Sequence, residues 1–446
     1  MRIKMTNPAR FDLRSMSSLQ KELHTPIHND DGEYIGTPFA SLFQPTLRNS
    51  SLRVNLTRVA SNKSSVDYIL DTNVDYLLFT YLDQDIPAVK LRSEYEGKVE
   101  IAWTHYLGLN LFRTASLRHG DLQPNVLTPM AMYFWILFLI QQKRLQAVLT
   151  QIGHTSDLTT WASSLPSTRL FVPLPWYYSS HPSMAFPFFL LREKRELFHQ
   201  FDFVDLKDLL RMRVRTGDDW KEVPFDPKYL QLPSDFDGRL PTPELYGRAV
   251  MLEEDERATM RCKRELSYYY DTFQFFESTQ ETEEGRQGVL SLDCEAPCKA
   301  FAFGCTSIHS KRTNQHQTWL SPEGENPIYT YKVLYGNSER VPETELEHLV
   351  MDMWELLPPN FEPAGLAVHI GDVAPIALQA CSGVVYSPDQ KANLCVRLRA
   401  ASGDAVPTNY KLQALLWTTR KLVFRKDEKD ELVYNVSVHP DPITEN

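Results

Sequence analysis

Apolar positions in this chain come in short runs at strand-like spacing, separated by proline, asparagine, aspartate and glycine. Residues 51–59 alternate roughly between polar and apolar, and residues 75–82 lead through an apolar run into Ile86-Pro87; both predict strands. Residues 101–108 predict a strand continuing through Leu111-Phe112, and the more polar residues 116–121 end in a tight turn. Residues 198–203 predict another strand. The pattern restarts in the second half, at residues 296–303, 334–340, 409–413 and 422–424. Helical spacing is clearest over residues 130–153, where apolar positions recur through Leu145, Val148, Leu149 and Ile152 before Gly153 closes the turn. The apolar part, residues 130–140, is bounded by Pro129 and by Gln141-Gln142-Lys143-Arg144. It falls well short of the roughly 20 residues that a spanning helix needs, so it predicts a buried amphipathic helix.

The chain is organised around residues 172–191, Val-Pro-Leu-Pro-Trp-Tyr-Tyr-Ser-Ser-His-Pro-Ser-Met-Ala-Phe-Pro-Phe-Phe-Leu-Leu. Pro173, Pro175, Pro182 and Pro187 exclude a buried helix, because proline lacks the donor that a helix interior requires. Two aromatic runs around a polar break predict two short strands joined by a turn, with the prolines at strand starts or on edges. Two segments have another character. Residues 1–36 are polar and irregular, with an Asn29-Asp30-Asp31-Gly32 turn signal, and predict an extended arm. Residues 204–243 form a long proline- and aspartate-rich excursion, expected to be an exposed tower or an intersubunit contact.

A length of 446 residues suits two domains of about 200 residues each. Hydrophobic residues at 42% supply enough apolar surface to support a fold without disulfides or metal. Proline (29) outnumbers glycine (18), which favours many short strands over helices. A formal charge of −10 has the wrong sign for gripping phosphate backbones, so direct nucleic-acid binding is not expected. Residues 1–11 are basic and polar with no apolar run behind them, so no signal peptide is expected. The sequons at Asn49, Asn55, Asn62 and Asn435 are therefore treated as unmodified.

Candidate chemistry is sparse. Cys262, Cys294, Cys298, Cys305, Cys381 and Cys395 lack paired CxxC spacing. Cys294, Cys298 and Cys305 with His309 could be weighed as a zinc set, against small buried thiols in a reducing compartment. His105 and His119 have no carboxylate or nucleophile in a recognisable arrangement beside them, and the pairs His24/His28 and His309/His316 lie in apparent loops. No catalytic, cofactor-binding or metal residue is assigned, and no cofactor is expected.

Several segments, in order, resemble the major capsid proteins of nucleocytoplasmic large DNA viruses. Leu174, Pro175, Pro182, Ala185 and Pro187 match that family's Leu-Pro-Phe-Trp-Phe...Asn-Pro-Gly-Leu-Ala-Leu-Pro-Leu pattern without a gap, with Trp176-Tyr177-Tyr178 in the aromatic positions. Residues 75–87 resemble its Asp-Leu-Ile...Tyr-Leu...Leu-Pro strand, and Trp103, Gly108 and Gly120 match its Trp...Ile-Gly-His...Ile-Gly-Gly hairpin. Residues 252–260 resemble the connector between its two barrels. Residues 296–303 resemble its His-Pro-Val-Lys-Glu-Leu-Ile-Trp strand, residues 334–340 its Leu-Asn-Gly...Arg segment, and residues 409–413 its Asn-Tyr-Asn-Val-Leu strand. Two motifs depart from the pattern. The basic-aromatic opening motif is loose at residues 43–52, and Val368-His369-Ile370-Gly371 replaces a polar centre between Pro363-Ala364-Gly365 and Asp372.

The resemblance implies an all-β fold with helical insertions, made of two consecutive eight-stranded antiparallel jelly rolls. The expected division is an arm at 1–36, a first jelly roll at 37–254, a connector at 255–264 and a second jelly roll at 265–446. The implied function is that of a viral major capsid protein, without enzymatic activity, whose homotrimeric, pseudo-hexagonal capsomers tile the icosahedral shell of a large double-stranded DNA virus. Expected partners are two further copies, neighbouring capsomers, minor capsid or cement proteins, and an inner viral membrane or its proteins. The expected location is the virion, after assembly in the host cytoplasm. Three alternatives remain open: a scaffolding protein of the same fold that shapes an immature viral membrane, a minor capsid protein of the same fold, and an enzyme or carbohydrate-binding protein built on a jelly-roll sandwich.

Overall fold

The computed structural model describes residues 27–28, 34–36, 50–61, 65–71, 74–119, 122–138, 142–179, 185–188, 197–231, 237–252, 265–336, 338–348, 365–370, 384–386, 392–400, 407–426 and 434–439. Its principal strands fall into two sets. The first is β1 (Ser50–Ser61), β2 (Ser65–Ile69), β3 (Tyr76–Ile86), β4 (Phe112–His119), β5 (Leu122–Leu127), β6 (Thr168–Leu174), β7 (Leu197–Phe203) and β8 (Glu244–Met251). The second is β9 (Glu265–Glu277), β10 (Gln287–Leu292), β11 (Cys294–Ser307), β12 (Ile328–Tyr335), β13 (Ser338–Glu345), β14 (Ala367–Ile370), β15 (Ala392–Leu398) and β16 (Asn409–Lys426).

Hydrogen bonding orders the first set as β6-β3-β8-β1 and β2-β7-β4-β5, and the second as β14-β11-β16-β9 and β10-β15-β12-β13. Adding eight to every label of the first set gives the second. The chain therefore runs one antiparallel path twice, and that path is the jelly roll. Among the described residues, no strand of one set pairs with a strand of the other. In the first barrel β1 joins both sheets. Its residues 50–56 pair with β8 and residues 57–61 with β2, across an irregularity between Arg58 and Ala60.

Alternation of side chains puts the core between the sheets. Along β10, Gly288, Leu290 and Leu292 are buried while the residues between them are exposed. Phe303 of β11 meets Tyr331 of β12 across the second sandwich at 5.0 Å, and Trp176, just after β6, meets Phe201 of β7 across the first at 6.4 Å. Each such fully buried large side chain contributes about 1.5–3 kcal/mol relative to an exposed one.

Several sequence expectations change. The two runs of residues 172–191 do not pair with each other. β6 and the short strand Phe186–Pro187 lie one after the other along the same side of β3. Pro173 sits within β6, which is an edge strand, where its missing donor costs no ladder bond. The strand predicted from 101 to 112 breaks. Val99–Trp103 ends in a turn with Tyr106 at φ 53°, Leu107–Asn110 is a 3-10 helix, and β4 begins at Phe112. Gly108 explains the break, because its amide donates to the Ile152 carbonyl at 2.8 Å and an added Cβ would lie 2.7 Å from Val172 Cγ2.

The stretch at 130–153 is two helices, α1 (Pro129–Phe138) and α2 (Gln142–Gln151). α1 is not amphipathic. Met130, Ala131, Met132, Tyr133, Phe134 and Ile136 are all buried, as in a helix covered on every side. Gly153 terminates α2 at φ 78°, as its position predicts. Residues 204–243 are not a bare tower. Leu210–Thr216 pairs with Asp219–Val223 across Gly217 and also with Val99–Trp103, which makes a three-stranded sheet. Within the predicted arm, Ile27–His28 pairs with Tyr34–Gly36 around the turn signal. The runs at 409–413 and 422–424 are one 18-residue strand, β16. The expected connector at 255–264 lies outside the described residues.

Candidate functional site

The most elaborate polar and aromatic construction in the described residues is the seam between the two barrels. It starts from a side-by-side difference in residue size. β11 places Ala300, Ala302 and Gly304 on its outward face, and the register with β16 puts Trp417, Leu415 and Gln413 beside them. Such small residues leave a trough. α1 fills it from the first barrel: Phe134 contacts Phe273 of β9 at 5.9 Å and Trp417 at 6.0 Å, and Tyr133 meets Trp319 at 5.2 Å. A Cβ on Gly304 would come within 2.5 Å of Trp319 Cδ1, so glycine is what lets the indole lie flat.

The loop after helix α3 (Ile308–Arg312) supplies the polar part. Ser307 caps that helix, accepting from the Ser310 amide at 2.9 Å. Asn314 and Gln317 then adopt left-handed backbone at φ 57° and 51°, and the turn reaches into the first barrel. Asn314 Nδ2 donates to the Leu210 carbonyl at 2.7 Å, while its own carbonyl accepts from Thr104 Oγ1 at 2.9 Å. Asn110 Nδ2 donates to Gln317 Oε1 at 2.8 Å, and His316 Nε2 lies 2.8 Å from the Asp208 carbonyl. Burial lowers the pKa of His316, so it stays neutral there. A cavity of about 580 Å³ opens beside these contacts, lined by Asn110, Arg113, Asp208, Lys311, His316 and Trp319 among others.

A second cluster braces the three-stranded sheet. Arg211 and Arg213 lie over the Trp161 ring at 4.8 and 5.0 Å, and Arg211 pairs with Glu222 at 2.8 Å. Arg211 Nη1 is 3.0 Å from His105 Nε2, so the guanidinium donates and the imidazole accepts. Burial first, then Arg211 and His154, push the His105 pKa down to about 4. A histidine with a cation at its ring nitrogen is held neutral as an acceptor, the opposite of a base oriented by a carboxylate.

The residues weighed from sequence are not gathered into one site. His119 ends β4, and His105 lies before that eight-residue strand. His309 is exposed on α3 while His316 is half-buried against the first barrel. Cys294, Cys298 and Cys305 share one strand, with the outer two 11 positions apart, about 36 Å at roughly 3.3 Å per residue, which is too far to share an ion. All three are buried, as is Cys395, and the Cys294 and Cys298 thiols donate to the Ala296 and Ala300 carbonyls. Cys262, Cys381 and His24 lie outside the described residues. The seam residues were missed. The Thr-Asn-Gln-His-Gln-Thr-Trp run at 313–319 was a signal, since so many side-chain amides in a row offer paired donors and acceptors.

No family model matches the chain. Curated relatives do. The major capsid protein of Lymphocystis disease virus 1 (isolate Darai) is 29% identical over 168 residues, covering 35% of this chain and 36% of that protein. The major capsid protein of Wiseana iridescent virus is 30% identical over 142 residues, covering 30% of this chain and 29% of that protein. The matched segments thus span about a third of these relatives' length. Among solved structures, the Faustovirus major capsid protein superposes with a TM-score of 0.66 at 9% identity, covering 85% of this chain and 91% of that one. PBCV-1 VP54 superposes with a TM-score of 0.64 at 13% identity, covering 90% and 99%. The double jelly roll read from strand order is the fold of both.

Proposed function

We propose that this chain, a divergent double jelly-roll relative of the major capsid proteins of large DNA viruses, is itself a major capsid protein. The observation that carries the reading is the repeated strand path: two barrels of one design in one chain, held in fixed relation by α1 and the 313–319 turn. Three copies around a threefold axis present six similar barrels, and a six-cornered tile covers a flat facet. Closed symmetry confines the stronger contact to the trimer, and weaker contacts between trimers repeat across an icosahedral shell. An obligate trimer contact of this kind buries on the order of 2,000–5,000 Å².

The role is structural rather than catalytic, and the reading assigns no catalytic, cofactor or metal residue. The first barrel occupies 37–254 and the second 265–446, with 255–264 between them and 1–36 as an arm. Partners are two further copies, neighbouring capsomers, minor or cement proteins and an underlying membrane or its proteins. The protein assembles in the host cytoplasm and resides in the virion.

Light scattering with electron microscopy of the purified protein tests this. The expected result is a particle of about three chain masses with a pseudo-hexagonal outline. A monodisperse monomer at micromolar concentration would overturn it. Abundance in immature particles coupled with absence from purified mature virions would replace the shell role by that of a transient scaffold.

A further inference from the structure

The seam between the barrels contains a histidine that fits in only one charge state. His105 Nε2 lies 3.0 Å from Arg211 Nη1, and because a guanidinium can only donate, the ring nitrogen accepts. A protonated imidazole carries a hydrogen on both nitrogens, so a proton taken up by His105 sets donor against donor and cation against cation. His154, in the turn that closes α2, adds to the cost. Its ring lies 5.6 Å from that of His105 and stacks on Tyr106 at 4.1 Å, so a charge on either histidine opposes a charge on the other. Glu222 and Glu100, on the strands flanking Arg211, are already engaged, the first by Arg211 at 2.8 Å and the second by Arg213. The Tyr106 ring meets Tyr133 of α1 at 5.1 Å. His316, with Asp208 and Lys311 near it, is a different case: its Nε2 faces the Asp208 carbonyl, which accepts from the ring in either charge state.

His105 is also one step away from three of the polar contacts that the 313–319 turn makes with the first barrel. Its neighbour Thr104 donates to the Asn314 carbonyl at 2.9 Å. Asn110 Nδ2 bridges the His105 carbonyl at 3.0 Å and Gln317 Oε1 at 2.8 Å. Glu222 holds Arg211 with one carboxylate oxygen and accepts from Gln315 with the other. We propose that His105 is the trigger of an acid-sensitive latch: on taking up a proton it expels Arg211 and frees the 313–319 turn, so the two barrels are locked together at neutral pH and loosened in mild acid. The contacts of Phe134 with Phe273 and Trp417 do not titrate, so α1 keeps the loosened barrels side by side. The latch lies within one chain. It goes beyond the shell reading and does not rest on it.

Amide hydrogen exchange of the full chain, read by mass spectrometry at pH 7 and pH 5 and corrected for the intrinsic effect of pH, tests the latch. If His105 moves from its buried value of about 4 to an ordinary 6.5 when the seam opens, protection of residues 313–319 falls roughly twentyfold between the two pH values. Strands β12 and β15, in the sheet away from the seam, are expected to keep theirs. His105→Gln, whose amide oxygen accepts from Arg211 and takes no proton, is expected to remove most of the fall. Unchanged protection of 313–319 in the wild type at pH 5 overturns the latch without any variant. A His105→Gln chain that loses protection as steeply as the wild type overturns it as well and moves the acid sensitivity to another group, such as His199. Should that variant not fold, histidine C2-hydrogen exchange in the wild type follows each ring separately. The loss of protection is then expected to track proton uptake by His105, and a loss that tracks another ring overturns the proposal.

Discussion

His199, on β7, has none of its surface exposed, and its Nε2 lies 2.8 Å from the Tyr178 hydroxyl, which in turn lies 3.2 Å from Thr80 Oγ1. Burial presses the imidazole pKa down to about 3. In the unfolded chain the same ring titrates near 6.5, so between these values the unfolded state binds more protons and stability falls as pH falls. At pH 5 the loss from this one residue is about 2 kcal/mol. His199→Gln is expected to flatten the acid side of a stability–pH curve measured by urea unfolding between pH 4 and 7; an unchanged slope would refute the assignment. Lys299 poses the converse problem. Its ammonium is buried 2.9 Å from the Asp271 carboxylate, which also accepts from Thr419, and it lies over the Trp417 ring. Removing one partner of a buried pair strands the other, so Lys299→Met should cost about 3 kcal/mol. Asp271 keeps 31% of its side-chain surface, which holds the cost at the lower end. A double-mutant cycle with Asp271→Asn checks that the two losses are not additive.

At the scale of elements, α1 shows why a sequence reading reached the helix but not its role. Its apolar run fixed its length and burial, yet a helix that is apolar all round gives no direction for its face, and the partner it lies on is far along the chain. The trough that receives it depends on Gly304. Gly304→Ala is expected to push Trp319 aside and cost about 2 kcal/mol, the usual scale for overpacking. Near-ultraviolet circular dichroism and a denaturant midpoint report it. The hairpin within residues 204–243 has a legible signal. Leu210, Met212 and Val214 alternate with Arg211, Arg213 and Arg215, but proline and aspartate on either side masked the strand. Most strands were readable from local alternation. Their pairing order was not, because jelly-roll neighbours are separated by long stretches of chain, as β1 is from β8. The sequence resemblance supplied that order, and the repeated path now supplies it independently.

For the whole molecule, the seam decides whether two barrels behave as one body. Asn314, Asn110 and Phe134 each cross it with buried contacts, so the chain is expected to unfold in a single calorimetric transition. Phe134→Ala removes the ring from between Phe273 and Trp417. It should cost about 3 kcal/mol and resolve the single peak into two, one per barrel. A single peak in the variant would show that the polar turn alone couples the halves.

The repeat within one polypeptide also changes the kinetics of making a hexagonal tile. Six free sandwiches would have to find one another, and the rate would fall steeply as the solution is diluted. In the trimer proposed above, half of the neighbour contacts would be intramolecular, at an effective concentration in the millimolar range. On that proposal only three bodies would have to meet, each arriving with one of its two kinds of neighbour already in place.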